Sequence, residues 1–253
     1  MSHQLWNLIN ELQSEKYEWV DLSHSLNNDS PYWAGIPEGS VELSKTVFDW
    51  GNPMLECLIQ TFKFPGQFGT HIDFPGHFVK DAPLSEKFGV RHMLYPLVVI
   101  DISDKVREDV HYAVTVEDIK AFEAKYGDIP DGAFVALNAG WAKNWPDMDK
   151  LSGLDGDGNE NAPGWSLEAL KYIYEVRNAA ANGHETLDTD ASAVAAGDLA
   201  CERYVLSKGK LQIEVLNNLD RVAPVGALLF VAWPNIEQAT GLPVRVLAIT
   251  PKK

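Results

Sequence analysis

Cysteine is scarce in this chain, because its 253 residues contain only Cys57 and Cys201. Two cysteines and no Cys-x-x-Cys pair exclude a disulfide framework in a chain of this length. Long apolar runs are also lacking, and no stretch approaches the roughly eighteen residues of a membrane-spanning helix. The first residues have neither a basic region nor a continuous apolar core, which argues against a signal peptide. We therefore expect a cytoplasmic protein with no membrane partner.

Positive charge is in deficit as well, with 21 Lys and Arg against 36 Asp and Glu and a formal net charge of −15. Such a surface repels phosphate backbones, so we expect no nucleic-acid partner. Hydrophobic residues at 45% and charged residues at 23% are ordinary globular usage. The length suits one large α/β domain, which we expect to span residues 1–253.

Candidate metal ligands are concentrated in one glycine-rich and proline-containing segment, and they are Gln67, His71, Asp73 and His77. Imidazole and carboxylate groups are the usual ligands of zinc and manganese. All four positions are odd-numbered and would share one face of a strand, but a straight strand would spread them over about 33 Å. The glycines and Pro75 allow the chain to fold back around one ion. The alternative is a hydrogen-bonded polar patch without metal.

The same segment resembles the His-x-Gly-Thr-His-x-Asp-x-Pro-x-His motif of the cyclase family of metal-dependent hydrolases, which includes bacterial kynurenine formamidases and isatin hydrolases. Residues 69–71, Asp73, Pro75 and His77 match it in register. Further segments resemble the family at positions 138–145, 163–170, 183–190 and 214–219. The resemblance implies an α/β fold with a mixed β-sheet core and flanking helices, of the swivelling β/β/α kind. It also implies a homodimer or a larger homo-oligomer.

Two positions depart from the family pattern. Gln67 replaces the first histidine, and Glu202 replaces a histidine that formamidases carry twelve residues before the equivalent of Glu214. The resemblance implies that Gln67, His71 and Asp73 bind one metal. It implies that His77, Glu202 and Glu214 bind or border a second. Both departures exchange nitrogen for oxygen, which favours Mn²⁺ over Zn²⁺ and weakens the expectation of a formamidase substrate.

The activity implied is hydrolysis of a C–N or C–O bond at the carbonyl of a small amide, lactam, lactone or ester, aryl-formamide-like or isatin-like, by metal-activated water. His77 is the expected general base. With a second metal, His77 would instead be a ligand and Glu214 would activate water. Two alternatives remain open: a cyclase or dehydratase using the same site, and a non-catalytic small-molecule binding protein with an altered site.

A set of further residues is expected to bind the substrate: Trp33, Phe74, Trp141 and His184. Aromatic walls suit a flat apolar ligand, although core packing explains most tryptophans in such a chain. For His184, the alternative is a structural histidine satisfied by Asp188 or Asp190.

Periodicity and capping signals predict the order of the elements. Strands are expected at 18–22, 41–48, 56–64, 95–102, 133–138, 211–216, 227–233 and 244–249. Helices are expected at 3–15, from Thr115 to Lys125, from Ser166 to about Asn182 with Gly183 as the stop, and from Asp198 to Gly209. Residues 144–164 are expected to form a polar loop. The first helix carries an apolar stripe that we expect to pack on its own domain, and the alternative is a contact between two copies of the chain.

Overall fold

The computed structural model describes residues 3–192 and 198–252. Its strands are β1 (Tyr17–Asp21), β2 (Glu42–Phe48), β3 (Ile59–Lys63), β4 (His71–Asp73), β5 (Leu94–Asp101), β6 (Ala113–Val114), β7 (Phe134–Asn138), β8 (Gly164–Trp165), β9 (Ala181–His184), β10 (Leu211–Glu214), β11 (Ala227–Ala232), β12 (Gly241–Pro243) and β13 (Arg245–Pro251). Its α-helices are α1 (Gln4–Leu12), α2 (Ser103–Glu108), α3 (Val116–Tyr126), α4 (Met148–Ser152), α5 (Leu167–Lys171) and α6 (Ala200–Ser207).

One nine-stranded mixed sheet organises the fold, in the order β1-β13-β11-β5-β7-β9-β10-β4-β12. Its middle strands β5, β7, β9 and β10 run parallel, and the strands on either side pair antiparallel. Parallel neighbours need crossover connections, and α3 and α5 lie in those connections. The expected α/β fold with a mixed sheet and flanking helices is therefore confirmed. The expectation of one domain over residues 1–253 stays a prediction.

Two hydrophobic cores lie on the two faces of this sheet. In β5, Leu97 and Val99 belong to one core, while Val98 and Ile100 belong to the other. The alternation follows from the pleat, since successive side chains of a strand point to opposite faces. The second core also contains side chains of α3, α5 and α6. The central strands are thus buried on both faces, as parallel strands usually are.

The helix expected from Ser166 to Asn182 is shorter than predicted. Ser166 does cap it by accepting a hydrogen bond from the Ala169 N–H at 3.2 Å, but α5 passes into a π-helical turn that ends at Val176. The chain then enters β9. Gly183 lies in β9 and does not end a helix. The position requires glycine, because a Cβ there would lie 2.7 Å from the Phe134 ring and 2.8 Å from a backbone oxygen of β10.

The predicted N-cap of α6 is also wrong. Asp198 makes no side-chain cap, and the backbone N–H groups of Cys201 and Glu202 donate instead to the Asp190 carboxylate at 2.9 and 3.2 Å. The start of α6 is therefore stabilised by Asp190, an acid that precedes the helix by ten residues. The 144–164 segment is not entirely loop, because it contains α4, which Asp147 caps.

Helix α1 begins and ends close to the predicted bounds, but its packing is not as expected. The structure buries none of its residues, and Leu5, Leu8 and Ile9 are exposed. The apolar stripe of α1 therefore lies uncovered on a single copy of the chain. None of the helices in the described ranges combines the length and the apolar composition that a bilayer crossing requires.

Candidate metal centre

Two neighbouring strands bring the proposed ligands together. In the antiparallel pair of β4 and β10, His71 lies opposite Glu214 and Asp73 lies opposite Gln212. The intervening Ile72 belongs to a hydrophobic core, so the polar side chains share the opposite face of both strands. Because alternate side chains of a strand share one face, pairing of β4 with β10 is enough to bring these residues into one cluster. The expected folding back of the glycine-rich segment around one ion is not needed for this.

Three of the predicted ligands, His71, Asp73 and Glu214, offer ligand atoms that all lie within 4.8 Å of one another. The Nε2 atom of His71 is 3.5 Å from Oδ2 of Asp73 and 3.3 Å from Oε2 of Glu214. Ligand atoms that each lie about 2.0–2.2 Å from a single ion are separated from one another by about 3–3.5 Å. All three side chains are buried. The separations therefore fit a single divalent cation.

Hydrogen bonding leaves His71 prepared to accept such a cation. Its Nδ1 atom is 2.9 Å from the Gly69 carbonyl oxygen, which only accepts, so Nδ1 carries the proton. The Nε2 lone pair then points at two carboxylates, and this buried atom has no hydrogen-bond partner. Lone pairs that converge in a buried place repel one another unless a cation or a proton lies between them. The donor set thus fits a metal ion.

Protonation takes the place of the cation when none is bound. Burial alone lowers the pKa of His71, but the adjacent Asp73 and Glu214 carboxylates outweigh it and hold that pKa well above its usual value. Burial raises the pKa of Asp73, but the two histidines, His71 first and then His77, hold it below its usual value. A metal ion binding here must displace the His71 proton, so binding should weaken as the pH falls.

Two glutamines hold the carboxylates in place. The Gln67 amide donates to Oδ1 of Asp73 at 3.1 Å. The buried Gln212 amide donates to Oε1 of Glu202 at 3.1 Å and to Oε1 of Glu214 at 3.0 Å, while its own oxygen accepts from the Thr189 hydroxyl at 2.9 Å. In this arrangement both amides orient acids by donating. Ligation of metal by Gln67 stays a prediction.

Close backbone approach makes the position of Gln67 possible. A Cβ on Gly241 would lie 2.2 Å from Nε2 of Gln67 and 2.9 Å from Oδ1 of Asp73. Gly241 begins β12, the strand that pairs with β4 beside Asp73. Only glycine at this position leaves room for the amide and the carboxylate together.

Glu202 and His77 lie at the more open side of the cluster. Oε1 of Glu202 is 3.8 Å from Nε2 of His77, whose side chain is 28% exposed. Burial raises the pKa of Glu202 well above its usual value, and the charges of Glu214 and Asp73 raise it further. Glu202 comes from α6 and His77 from the 3-10 turn Pro75–His77 that follows β4. The structure thus brings both predicted residues next to the three-ligand cluster.

His184 ends β9 and also faces the cluster. Its Nδ1 atom lies 2.9 Å from the Thr186 hydroxyl, and its Nε2 atom lies 3.5 Å from Oε1 of Glu214. The Thr186 hydroxyl donates to the Asp188 carbonyl oxygen, so it accepts from Nδ1 and leaves Nε2 of His184 with a free lone pair. The interpretation of His184 as a histidine satisfied by an Asp188 or Asp190 carboxylate is wrong, because Thr186 fills that role.

The aromatic residues expected to bind substrate lie in three different surroundings. Phe74 is fully buried in the core on the other side of β4, against Phe88 and Trp233, so its predicted place in the pocket wall is corrected. The buried Trp141 ring packs in the helix-covered core, and its indole N–H donates to the Leu151 carbonyl at 2.8 Å. Trp33 is exposed, and its contact with substrate stays a prediction.

Sequence reasoning missed Gln212, the residue that connects Glu202 and Glu214. The sequence does contain a signal for this residue, because Gln212 and Glu214 are two positions apart in a predicted strand and must therefore share a face. The role of Asp190 at the start of α6 had no such signal, since nothing in the sequence connects an acid to a helix that begins ten residues later.

Comparison with known proteins agrees with this geometry. A family model described as "Putative cyclase" matches residues 20–191. The isatin hydrolase of Roseibium aggregatum is 30% identical over 190 residues, which cover 73% of this chain and 72% of that protein. The solved structure of isatin hydrolase A from Labrenzia aggregata bound to benzyl benzoate superposes with a TM-score of 0.87 at 28% identity, covering 98% of this chain and all of that one.

A shorter match is to the kynurenine formamidase of Bacillus thuringiensis, 32% identical over 87 residues, which cover 34% of this chain and 40% of that protein. Fold and site together define a metal-dependent hydrolase. The His/Asp/Glu cluster is consistent with a divalent metal. Within that class, the chain belongs to the cyclase family, because the family model covers well over half of its length.

Proposed function

We propose that this hydrolase opens the carbonyl C–N or C–O bond of a small cyclic or aryl amide, lactam, lactone or ester, with isatin-like compounds as the first class to test. The observation that carries the proposal is the buried triad His71, Asp73 and Glu214, whose unpartnered Nε2 atom faces two carboxylates. Similarity to an isatin hydrolase over nearly three quarters of the chain supports the substrate class.

The three triad residues would hold the metal, with Gln67 and Gln212 orienting its carboxylates by hydrogen bonds. A bound divalent cation polarises a carbonyl group and lowers the pKa of water. The oxygen-rich residue set favours Mn²⁺, with Zn²⁺ as the alternative. Glu202 and Glu214 lie within reach of the same amide of Gln212, so that amide occupies space which a second cation would need. We therefore favour one metal.

His77 would take the proton from the attacking water and return it to the leaving nitrogen or oxygen. It is the half-buried base of the cluster and is open to solvent on one side, and imidazole is the side chain that enzymes use most often for proton transfer. Glu202, at 3.8 Å, is the carboxyl group that faces this imidazole. His184, whose free Nε2 lone pair lies beside Glu214, would accept a hydrogen bond from a donor group of the substrate.

The test is metal analysis followed by an activity screen. Protein purified without added metal or tag is analysed for metal content and then assayed on isatin, formyl-anilines, lactones and aryl esters with Mn²⁺ or Zn²⁺ restored. About one equivalent of metal and hydrolysis that follows it support the proposal. Failure to bind metal when it is supplied would favour the binding-protein alternative, and metal binding with turnover only in cyclisation or dehydration would favour the cyclase alternative.

We also propose that the protein assembles as a homodimer through an arm formed by residues 42–63. In the described residues, β2 and β3 form a two-stranded sheet of their own, and such a ribbon is only marginally stable in water. Its exposed apolar side chains are Val47, Trp50, Met54, Leu55, Leu58, Ile59 and Phe62. Contiguous apolar surface of this kind marks interaction sites, and a second copy with the same arm and the same bare α1 stripe is the occupant we propose.

Light scattering on a sizing column tests the assembly. Phe62→Glu should convert a dimer to monomer, because it buries a charge in the proposed interface. Val176→Glu is the matched control, since Val176 is equally exposed but lies at the end of the π-helical turn. A wild-type monomer, or a Phe62→Glu dimer, would contradict the proposal.

Cytoplasmic location stays a prediction from the sequence.

A further inference from the structure

His77 is held less firmly than the other residues of the centre. Its side chain is 28% exposed, and its separation of 3.8 Å from Glu202 is too long for a hydrogen bond. A half-exposed imidazole without such a bond can change rotamer unless neighbouring side chains prevent it. A proton-transferring group needs one orientation, because small misplacements of a reacting group cost large factors in rate.

The contact that restrains His77 comes from the next residue. The ring centroids of His77 and Phe78 are 4.7 Å apart with an interplanar angle of 90°, an edge-to-face arrangement that aromatic rings favour. Phe78 follows the 3-10 turn directly, so its ring and the His77 ring leave adjacent positions of the backbone. The orientation of Phe78 therefore limits the orientation of His77.

Phe78 is in turn held by a cation from α6. The guanidinium carbon of Arg203 lies 4.9 Å from the centroid of the Phe78 ring, within the range of a cation–π contact. Arg203 is itself anchored, because its Nε–H donates to the Asp198 carbonyl oxygen at 2.6 Å. Stacked guanidinium groups are weakly hydrated and planar, which suits this role.

Helix α6 thus contacts the His77–Phe78 dipeptide through two consecutive side chains. Glu202 faces the His77 imidazole, and Arg203 lies over the Phe78 ring. The start of α6 is fixed by the Asp190 carboxylate, which accepts the backbone N–H groups of Cys201 and Glu202. The position of the helix therefore sets both contacts at once.

We propose that Phe78 and Arg203 are positioning residues that fix the His77 imidazole for proton transfer. The inference rests on the proposed function for His77, and it adds that a surface arginine outside the metal centre controls the rate. Because Arg203 is exposed and Phe78 is half-buried, both can be changed without opening the core.

The kinetic test is a double-mutant cycle with His77→Asn. Phe78→Leu keeps apolar bulk without a ring and should lower kcat about tenfold with KM and metal content unchanged. Arg203→Met keeps the stem without charge and should lower kcat about threefold, while Arg203→Lys should recover most of the loss. In the His77→Asn background these changes should have no further effect, because their action passes through His77.

A matched control lies on the same helix segment. Lys208 lies over the Tyr204 ring at 5.2 Å, an exposed cation–π contact at the other end of α6. Lys208→Met should leave kcat unchanged. Equal losses in the Lys208→Met and Arg203→Met variants, or losses from Phe78→Leu that multiply with those of His77→Asn, would overturn the proposal while leaving the hydrolase function intact.

A second readout needs no activity. Imidazole ¹H–¹⁵N spectra of the metal-free and zinc-loaded protein should give one sharp His77 signal, assigned by its loss in His77→Asn. Phe78→Leu should broaden or split that signal, and Lys208→Met should not. An unchanged His77 signal in Phe78→Leu would overturn the positioning role even if no substrate is hydrolysed, whereas inactivity of the wild-type enzyme alone would contradict only the proposed function.

Discussion

Two groups of buried acids in this protein differ in what balances their charge. On α3, Glu123 accepts from Arg177 at 2.6 and 2.8 Å and from the Tyr172 hydroxyl at 2.8 Å, and Arg177 also reaches the exposed Asp128. Burial raises the pKa of Glu123, but these donors outweigh it and hold the pKa below its usual value. The negative charge of Glu123 is thus balanced by a cation of the chain itself, Arg177.

The acids of the metal centre have no arginine or lysine in the same role among the ion pairs of the described residues. Burial raises the pKa of Glu202 well above its usual value, and burial and the nearby Glu214 raise the pKa of Asp188 to about 7. A cation from outside would offset this buried negative charge. The difference is that Glu123 has its cation within the chain, whereas the acids of the proposed metal centre are arranged to receive one from outside.

The largest effect should come from removing a ligand. Asp73→Ala should abolish metal binding and hydrolysis together, because it removes one of three ligands and the acceptor for Gln67. Metal content by elemental analysis and turnover on the same preparation measure this. Asp73→Asn is the control that keeps the size of the side chain and removes only its negative charge. Retained turnover in Asp73→Ala would refute the metal centre.

Next in size is the proton-transfer step. His77→Asn should lower kcat by about 10²–10⁴ with metal content close to wild type, since the change removes a base and leaves the triad His71, Asp73 and Glu214 intact. Steady-state kinetics with parallel metal analysis separate the two quantities. If metal is lost in proportion to activity, His77 is a ligand and the two-metal alternative gains support.

The arginine cluster should respond in stability instead of rate. Arg177→Met should lower the free energy of unfolding by more than the loss of any exposed ion pair, because it leaves the carboxylate of Glu123 without its cation. Denaturant unfolding measures the loss, and kcat per folded molecule should be unchanged. A loss of activity at full folding would mean that the two clusters are coupled.

The same variant has a defined pH dependence. Glu123 has a lowered pKa in the folded state, so its stabilisation is fully present above the usual value of 4.5 and is lost as the pH falls through the folded pKa. The gap in stability between wild type and Arg177→Met should therefore close below about pH 4.5. A gap that is constant down to acid unfolding would contradict the assignment.

Binding of a metal ion at His71, Asp73 and Glu214 should stabilise the folded protein. At a free metal concentration of about 100 times Kd, the free energy of unfolding should rise by about 2.7 kcal/mol, and excess chelator should reverse the gain. Thermal unfolding with and without Mn²⁺ measures this. The gain should be the same in Arg177→Met and absent in Asp73→Ala. A metal gain in Asp73→Ala would indicate binding elsewhere.

The smallest effect is expected at the rim of the arginine cluster. Asp128→Asn should change the free energy of unfolding by less than about 1 kcal/mol, because the Asp128 side chain is 72% exposed and the pair is screened by water and salt. Denaturant unfolding at low and high salt checks this value. A loss comparable with that of Arg177→Met would show that the exposed carboxylate, and not Glu123, anchors the arginine.

Much of the fold and the centre was readable from the sequence, and for local reasons. Helix α3 starts at Thr115 as predicted, because Thr115 and Asp118 form a capping box whose two partners lie within one turn. His71 and Asp73 carry the motif chemistry, and the apolar runs predicted several of the strands. The mixed sheet and the place of Glu214 in the centre were implied by the resemblance to the cyclase family. Each of these signals lies within a few residues or in the chemistry of the side chains themselves.

The tertiary structure decided the rest, because the remaining relations join residues that are distant in sequence. Strand β9 replaces the last part of a predicted helix because a place between β7 and β10 needs a strand with a glycine at position 183. Phe74 belongs to the core because its neighbour Asp73 faces the metal centre and alternate side chains of an extended chain point apart. Asp190 starts α6, and Gln212 joins two acids, only after the sheet has brought them together.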